Sequence, residues 1–193
     1  MKIRTLLLAL AGLSLGSFNT AVAAVETYVT DPAHSSVNFS IRHFFTEVPG
    51  RFTKFTATLT VDRDHLENSS AEATIDIASV DTAAPQRDAH LQKPEFFDAA
   101  QFPTMTFKSK AWKQTAEGAF DVTGDLTIKG TTKSVVLKVT SLGFGPGMQP
   151  GSMLSGWKGT ITIHRDDFGV SAFPKVVGAD VEITINVEAG LKK

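Results

Sequence analysis

Cysteine is absent from the 193-residue sequence, which removes disulfides, thiolate nucleophiles and thiolate metal sites together. Stability has to come from apolar burial and backbone pairing. Positive charge is scarce as well: 19 Lys and Arg stand against 20 Asp and Glu. Setting aside Lys2 and Arg4 leaves 17 against 20, a formal charge of about −3, so the basic footprint that nucleic acid demands is missing. Polar-tipped aromatics are also few, with one Tyr and two Trp beside 14 Phe. The aromatic surface is therefore mostly phenyl, which offers area without a polar end.

The long apolar run that does occur is N-terminal. Lys2 and Arg4 precede the run from Leu6 to Leu15, and the small-residue sequence Ala21-Val22-Ala23 follows. This pattern predicts a secretory signal peptide over residues 1–23, too short for a stable bilayer anchor, with cleavage near Ala23. The expected product is periplasmic or secreted, with no transmembrane segment. Residues 24–193 are then one domain, and its 170 residues are enough for a sizeable core.

That domain reads as all-β. Eight short segments alternate apolar and polar residues with period two, the mark of strands with one buried and one wet face. Their predicted inward sets run through Val37, Phe39 and Ile41, through Phe55 to Val61, Ala71 to Ile77, Met105 to Ala111, Phe120 to Ile128, Val135 to Val139, Trp157 to Ile163 and Val181 to Val187. Turn chemistry separates them at Asn68-Ser69-Ser70, at Gly130 and in the Gly/Pro-rich run Gly143–Gly151. Eight antiparallel strands suit a closed barrel without exposed edges, with a two-sheet sandwich as the rival geometry. Small inward positions, among them Ala57, Ala73, Ala111, Gly124 and Gly159, point to a barrel with a cavity.

One stretch breaks the pattern. Between Ile75 and Phe107 lies a charged, helical insert, expected to start after Asp81-Thr82, to break before Pro94 and to resume over Glu95–Ala100. It places Asp81, Arg87 and His90 at one rim of the barrel. Arg87 and His90, three apart on one helical face, can present hydrogen-bond donors to a polar head group, while an ion-pair network closing the insert onto the rim is the structural alternative.

Catalytic patterns are weak. The serine-elbow spacing Gly12-Leu13-Ser14-Leu15-Gly16 lies within the predicted signal peptide and lacks the strand and helix that give such an elbow its mechanism. The histidines at 34, 43, 65, 90 and 164 match no zinc-site spacing, so no metal site is expected. Regular strand parity also puts His34 and His43 on opposite faces. The phenyl and indole rings are a more promising set: Phe39, Phe52, Phe55, Phe107, Phe120, Phe168 and Trp157 either fill a core or line a tunnel for an apolar chain.

The order and spacing of several motifs identify a resemblance. Asp31-Pro32-Ala33-His34-Ser35-Ser36-Val37-Asn38-Phe39, Gly50-Arg51-Phe52, Ser79-Val80-Asp81-Thr82, Arg87-Asp88-Ala89-His90-Leu91, Phe96-Phe97-Asp98, Gly124–Gly130 and Arg165-Asp166-Asp167-Phe168-Gly169 together resemble the YceI-like family of exported bacterial proteins. Thr131, Ser134 and Gln92-Lys93-Pro94 depart from the usual family pattern, on a turn and at the rim. The resemblance implies an extended lipocalin-like barrel that binds polyisoprenoid or related long-chain lipids. True lipocalins carry a Gly-x-Trp motif on the first strand, and its absence here makes the likeness to them one of shape.

The expectation is thus an eight-stranded antiparallel lipocalin-like barrel with a short helical insert. It would bind, transport or store an isoprenoid lipid of polyprenyl or quinone type without catalysis, and with no cofactor beyond that ligand. Its predicted contacts are Phe39, Ile41, His43, Phe52, Phe55, Ile75, Phe107, Phe120, Leu126, Trp157 and Phe168 in the interior, with Asp81, Arg87 and His90 at the rim. A rim hydrolase using His and Asp, and an adaptor with a solid barrel, are the alternatives. A homodimer is compatible with this reading.

Overall fold

The computed structural model describes residues 25–192, so the predicted signal peptide lies outside the described residues. In chain order the elements are β1 (Glu26–Thr30), β2 (Ser36–His43), β3 (Thr46–Phe52), β4 (Phe55–Val61), β5 (Ser70–Asp76), β6 (Val80–Asp81), α1 (Pro85–Leu91), β7 (Thr104–Ala116), β8 (Ala119–Ile128), β9 (Thr131–Pro146), β10 (Met153–His164) and β11 (Val177–Leu191). Every strand pairing is antiparallel.

These segments make eight barrel strands, because three pairs are single strands interrupted by an irregular stretch. β1 and β2 both pair with β11, β4 and β3 pair with β1 and β2 respectively, and β5 and β6 continue that order against β4 and β3. From β5 the sheet runs through β7, β8, β9 and β10 to β11, and the β1–β11 pairing closes it. The eight predicted strands are the eight strands of this closed barrel. What the alternation does not announce is β1, β3 and β6, the shorter or irregular partners of β2, β4 and β5 in the interrupted strands.

Two-residue turns set the meander. Glu117-Gly118 joins β7 to β8 and Lys129-Gly130 joins β8 to β9, with φ of 67° at Gly118, 48° at Lys129 and 73° at Gly130. Positive φ matches the twist of the flanking strands in such loops, which is why glycine recurs there.

Three local expectations need correction. A bulge between Ser109 and Ala111 inserts Lys110, so the parity of β7 flips: Ala111 is exposed and Trp112 is buried. The Gly/Pro-rich run is strand as far as Pro146, since a second bulge at Leu142, with Gly143 at φ 119°, carries β9 onward. Residues 95–100 form successive turns rather than helix. There Phe96 and Asp98 both donate to the Lys93 carbonyl, and Asp98 takes a left-handed φ of 52°. The cap of α1 is Ala84, without a side-chain bond, and Pro85 occupies the first turn as its fixed φ favours.

The two ends of the barrel differ. At one, Tyr28, Leu59, Val61, Trp112, Phe120, Val122 and Trp157 are buried together, with Trp112 and Trp157 edge to face at 5.7 Å and Phe144 packed on Trp157. This aromatic plug closes the barrel. At the other, the insert fills the place between β6 and β7 and packs Phe96 and Phe97 against Phe52, Phe168 and Val170.

Candidate functional site

Between plug and insert the inward side chains do not meet. They enclose a cavity of about 450 Å3, within the usual range for small-molecule sites. Phe39 and Ile41 of β2, Phe55 and Ala57 of β4, Ala73 and Ile75 of β5, Phe107 of β7, Leu126 of β8, Ile161 of β10 and Ile183 of β11 line it. All ten are half-buried, unlike the fully buried plug, because part of each faces empty space instead of a neighbour.

Small residues make this room. Ala57, Ala73 and Phe107 follow one another across β4, β5 and β7, so two methyl groups stand beside one phenyl ring. Gly124 has a different reason for being small: a Cβ there would lie 2.5 Å from Cζ of Phe107 and 2.7 Å from the Lys108 carbonyl oxygen.

Few polar groups reach the cavity, and those at the mouth are mostly engaged. Arg87 donates from Nε to Thr82 Oγ1 (2.8 Å) and from Nη2 to the Thr82 carbonyl (2.7 Å). Asp88 accepts from the Thr82 amide (2.9 Å) and hydroxyl (2.5 Å). Thr82 is thereby gripped from both sides, and this grip ties α1 to β6. Arg87 Nη1 takes no part in it. His90 lies 2.9 Å from Glu95 through Nε2, with its ring edge-on to Phe96 and Phe173. His43 stands edge-on to Phe44. Arg165, although buried, is spent on structure: it donates to the carbonyls of Gly178, Val170 and Val177 and so fastens the loop before β11.

Of the predicted contacts, Phe39, Ile41, His43, Phe52, Phe55, Ile75, Arg87, His90, Phe107, Leu126 and Phe168 line the cavity. Phe120 and Trp157 lie in the plug instead. Asp81 turns away to Arg51, 2.9 Å from both Nε and Nη2, and that pairing follows from the β3–β6 register. The Ala83 amide, then Arg51, holds the Asp81 carboxyl below its usual range. The wall also contains Val48, Phe173, Val176 and Val177, which sequence periodicity misses because three of them lie in or beside a loop. Ile161 and Ile183 were signalled as strand interior by their alternation.

Three ionisable side chains also come together away from the cavity. Asp31, His34 and Glu188 bring one ligand atom each within 4.8 Å, with His34 Nδ1 2.9 Å from Asp31 and 3.6 Å from Glu188. His34 is exposed and the two carboxylates are half-buried, and the ion pairs of His34 with both account for the geometry.

The YceI-like domain model matches residues 28–189, which span all but the outermost residues of the barrel. The chain belongs to the YceI-like family. Similar relatives include a UPF0312 protein of Ectopseudomonas mendocina, 35% identical over 93% of this chain and 96% of that one. Another, from Vibrio cholerae, is 34% identical over 89% and 90%. Among solved structures, Burkholderia cenocepacia BcnA is 28% identical with a TM-score of 0.73, covering 82% of this chain and 98% of its own. The Campylobacter jejuni YCEI protein is 33% identical with a TM-score of 0.72, over 79% and 91%. A polyisoprenoid-binding domain from Saccharophagus degradans shares the fold at 14% identity, with a TM-score of 0.65 over 88% and 100%. The barrel described here is therefore the family's fold.

Proposed function

We propose that this YceI-like protein is a non-catalytic carrier of a long-chain apolar lipid, of polyprenyl or quinone type, acting in the periplasm or outside the cell after export. The observation that carries this reading is the cavity: about 450 Å3, walled by phenyl and aliphatic side chains, closed at one end and polar only near the mouth. The shared fold of the Saccharophagus degradans polyisoprenoid-binding domain supports it.

The energetics favour a tail-led mode. Each methylene moved from water contributes about 0.8 kcal/mol, so a dozen outweigh the ~1 kcal/mol of an ordinary hydrogen bond at the mouth. Affinity then comes from the wall, and Arg87 Nη1 and His90 bias the choice of head group. The hydrolase alternative gains nothing from the mouth, where the Thr82 hydroxyl donates to Asp88 and His90 faces Glu95.

The test is native mass spectrometry with solvent extraction of the protein purified from its own envelope. A single long-chain species near one per protein is the expected result, and its loss is expected in Phe107→Asp, which puts a carboxylate on the wall. Full retention of lipid by a folded Phe107→Asp protein overturns the reading.

A further inference from the structure

The β2–β3 hairpin turns through two residues, Phe44 and Phe45, since His43 pairs with Thr46. Hairpin loops of this length favour Gly, Asn or Asp, because positive φ is needed. Here Phe44 takes a φ of 48° and both positions carry phenyl rings, 50% and 101% exposed. Phe173 repeats the pattern in the loop before β11, with φ 55° and 51% exposure. Large side chains held outward at left-handed φ cost stability, and such violations of local rule concentrate at functional sites.

The two features form one surface. The Phe44 amide donates to the Val176 carbonyl (2.9 Å), and the Val176 amide donates to the Phe173 carbonyl (2.9 Å). His43, Phe173 and Val176 also line the cavity, so the exposed rings stand around its mouth. Charge accompanies them: Arg42 donates to the Phe44 carbonyl (2.8 Å), Lys175 is exposed beside Val176, and Glu47 is the carboxylate across the hairpin from Arg42.

The geometry points to a bilayer-docking surface: Phe45, Phe44 and Phe173 enter the interface of an anionic membrane, Arg42 and Lys175 meet its head groups, and the cavity mouth faces the lipid. A bilayer fits better than a protein partner because Phe45 projects from a hairpin tip, and an interface takes in such a ring without a shaped pocket. The occupant of the cavity argues the same way, since a long-chain lipid that leaves a membrane through this mouth avoids crossing water. This last step rests on the carrier reading, whereas the docking itself does not.

The test places a reporter at the tip. Phe45→Trp, mixed with vesicles of phosphatidylethanolamine and phosphatidylglycerol, should show blue-shifted emission that brominated acyl chains quench. Trp112 and Trp157, in the plug at the other end, serve as unquenched references. Phe45→Ser should weaken vesicle association about tenfold while leaving lipid retention in solution unchanged, and phosphatidylcholine vesicles or high salt should weaken it further. Emission of Phe45→Trp that ignores vesicles overturns docking, as does quenching of the plug tryptophans in the unsubstituted protein, or self-association that Phe45→Ser abolishes without any effect of vesicles. Quenching in a protein that retains no lipid leaves docking standing and overturns the carrier reading; retention without quenching does the reverse.

Discussion

The Phe39 ring lies directly over Gly50, its cross-strand partner, so closely that a Cβ on Gly50 would sit inside the ring's van der Waals envelope. Gly50 is thus small for space and not for a special φ. The ring is half-buried and faces the cavity, so it has somewhere to go. Gly50→Ala should therefore push Phe39 inward at a modest loss of about 1 kcal/mol, the low end of overpacking costs, while reducing extractable lipid. Denaturant unfolding and solvent extraction measure the two effects separately. A large loss of stability with unchanged lipid would show that the ring is locked.

Ala73 offers the complementary change. It lines the cavity between Ala57 and Phe107, its cross-strand partners on β4 and β7. Ala73→Phe should change the free energy of unfolding by no more than about 1 kcal/mol, because the added ring occupies a void instead of displacing packed atoms. The bound lipid should become shorter or fall in occupancy, read by mass spectrometry of the extract.

Phe120 behaves otherwise, despite its place in the same alternating pattern. It is 2% exposed in the plug, packed on Trp112 at 5.7 Å. Phe120→Ala should cost about 3–5 kcal/mol by removing buried contacts and leaving a hole. Lipid occupancy at a temperature where the variant is folded should not change. Loss of lipid at full stability would move the plug into the binding site.

The division between Phe39 and Phe120 marks how far the sequence is legible. Period-two alternation identifies the eight barrel strands and most of the wall, since inward parity is a local property. It does not distinguish plug from cavity, because both are apolar and inward; that difference depends on which strands cross at each height. β3 escapes detection because Thr46–Phe52 contains Pro49 and Gly50, and Pro is tolerated where the sheet has an edge. Trp112 escapes because the bulge at Lys110 reverses parity without a glycine to announce it. Asp81, expected at the rim, turns to Arg51 instead because the β3–β6 register pairs the two residues, a long-range relation that no local pattern carries.

Arg87 separates structure from recognition. Two of its nitrogens hold Thr82 in part-buried bonds, so Arg87→Ala should destabilise the protein by about 1 kcal/mol and speed hydrogen exchange over α1. Total lipid should fall less than head-group preference shifts, as measured by competition between two lipids of equal tail. Arg87→Lys retains the charge but not the two-point grip. Restored preference without restored protection in that variant would assign recognition to charge alone.

Tyr28 gives a prediction in alkali that has a single reporter, since the chain contains no other tyrosine. Its side chain is buried in the plug, and its hydroxyl donates to Glu26 Oε2 (2.6 Å). Burial first, then the bond to Glu26, pushes its pKa up from 10.0 to about 12. The folded protein therefore binds the phenolic proton more tightly than the unfolded chain. Its contribution to stability is fully present below about pH 10 and is lost as pH rises through about 12. Tyrosinate absorbance of the folded protein should rise with a midpoint near 12, against one near 10 in denaturant. Tyr28→Phe should remove that absorbance step and flatten the stability loss over the same interval. Arg63 holds both Glu26 oxygens at 2.8 Å, so the carboxylate keeps a partner when the hydroxyl is gone. A folded-state midpoint near 10 would mean that the plug admits water, and the barrel would then be open at both ends.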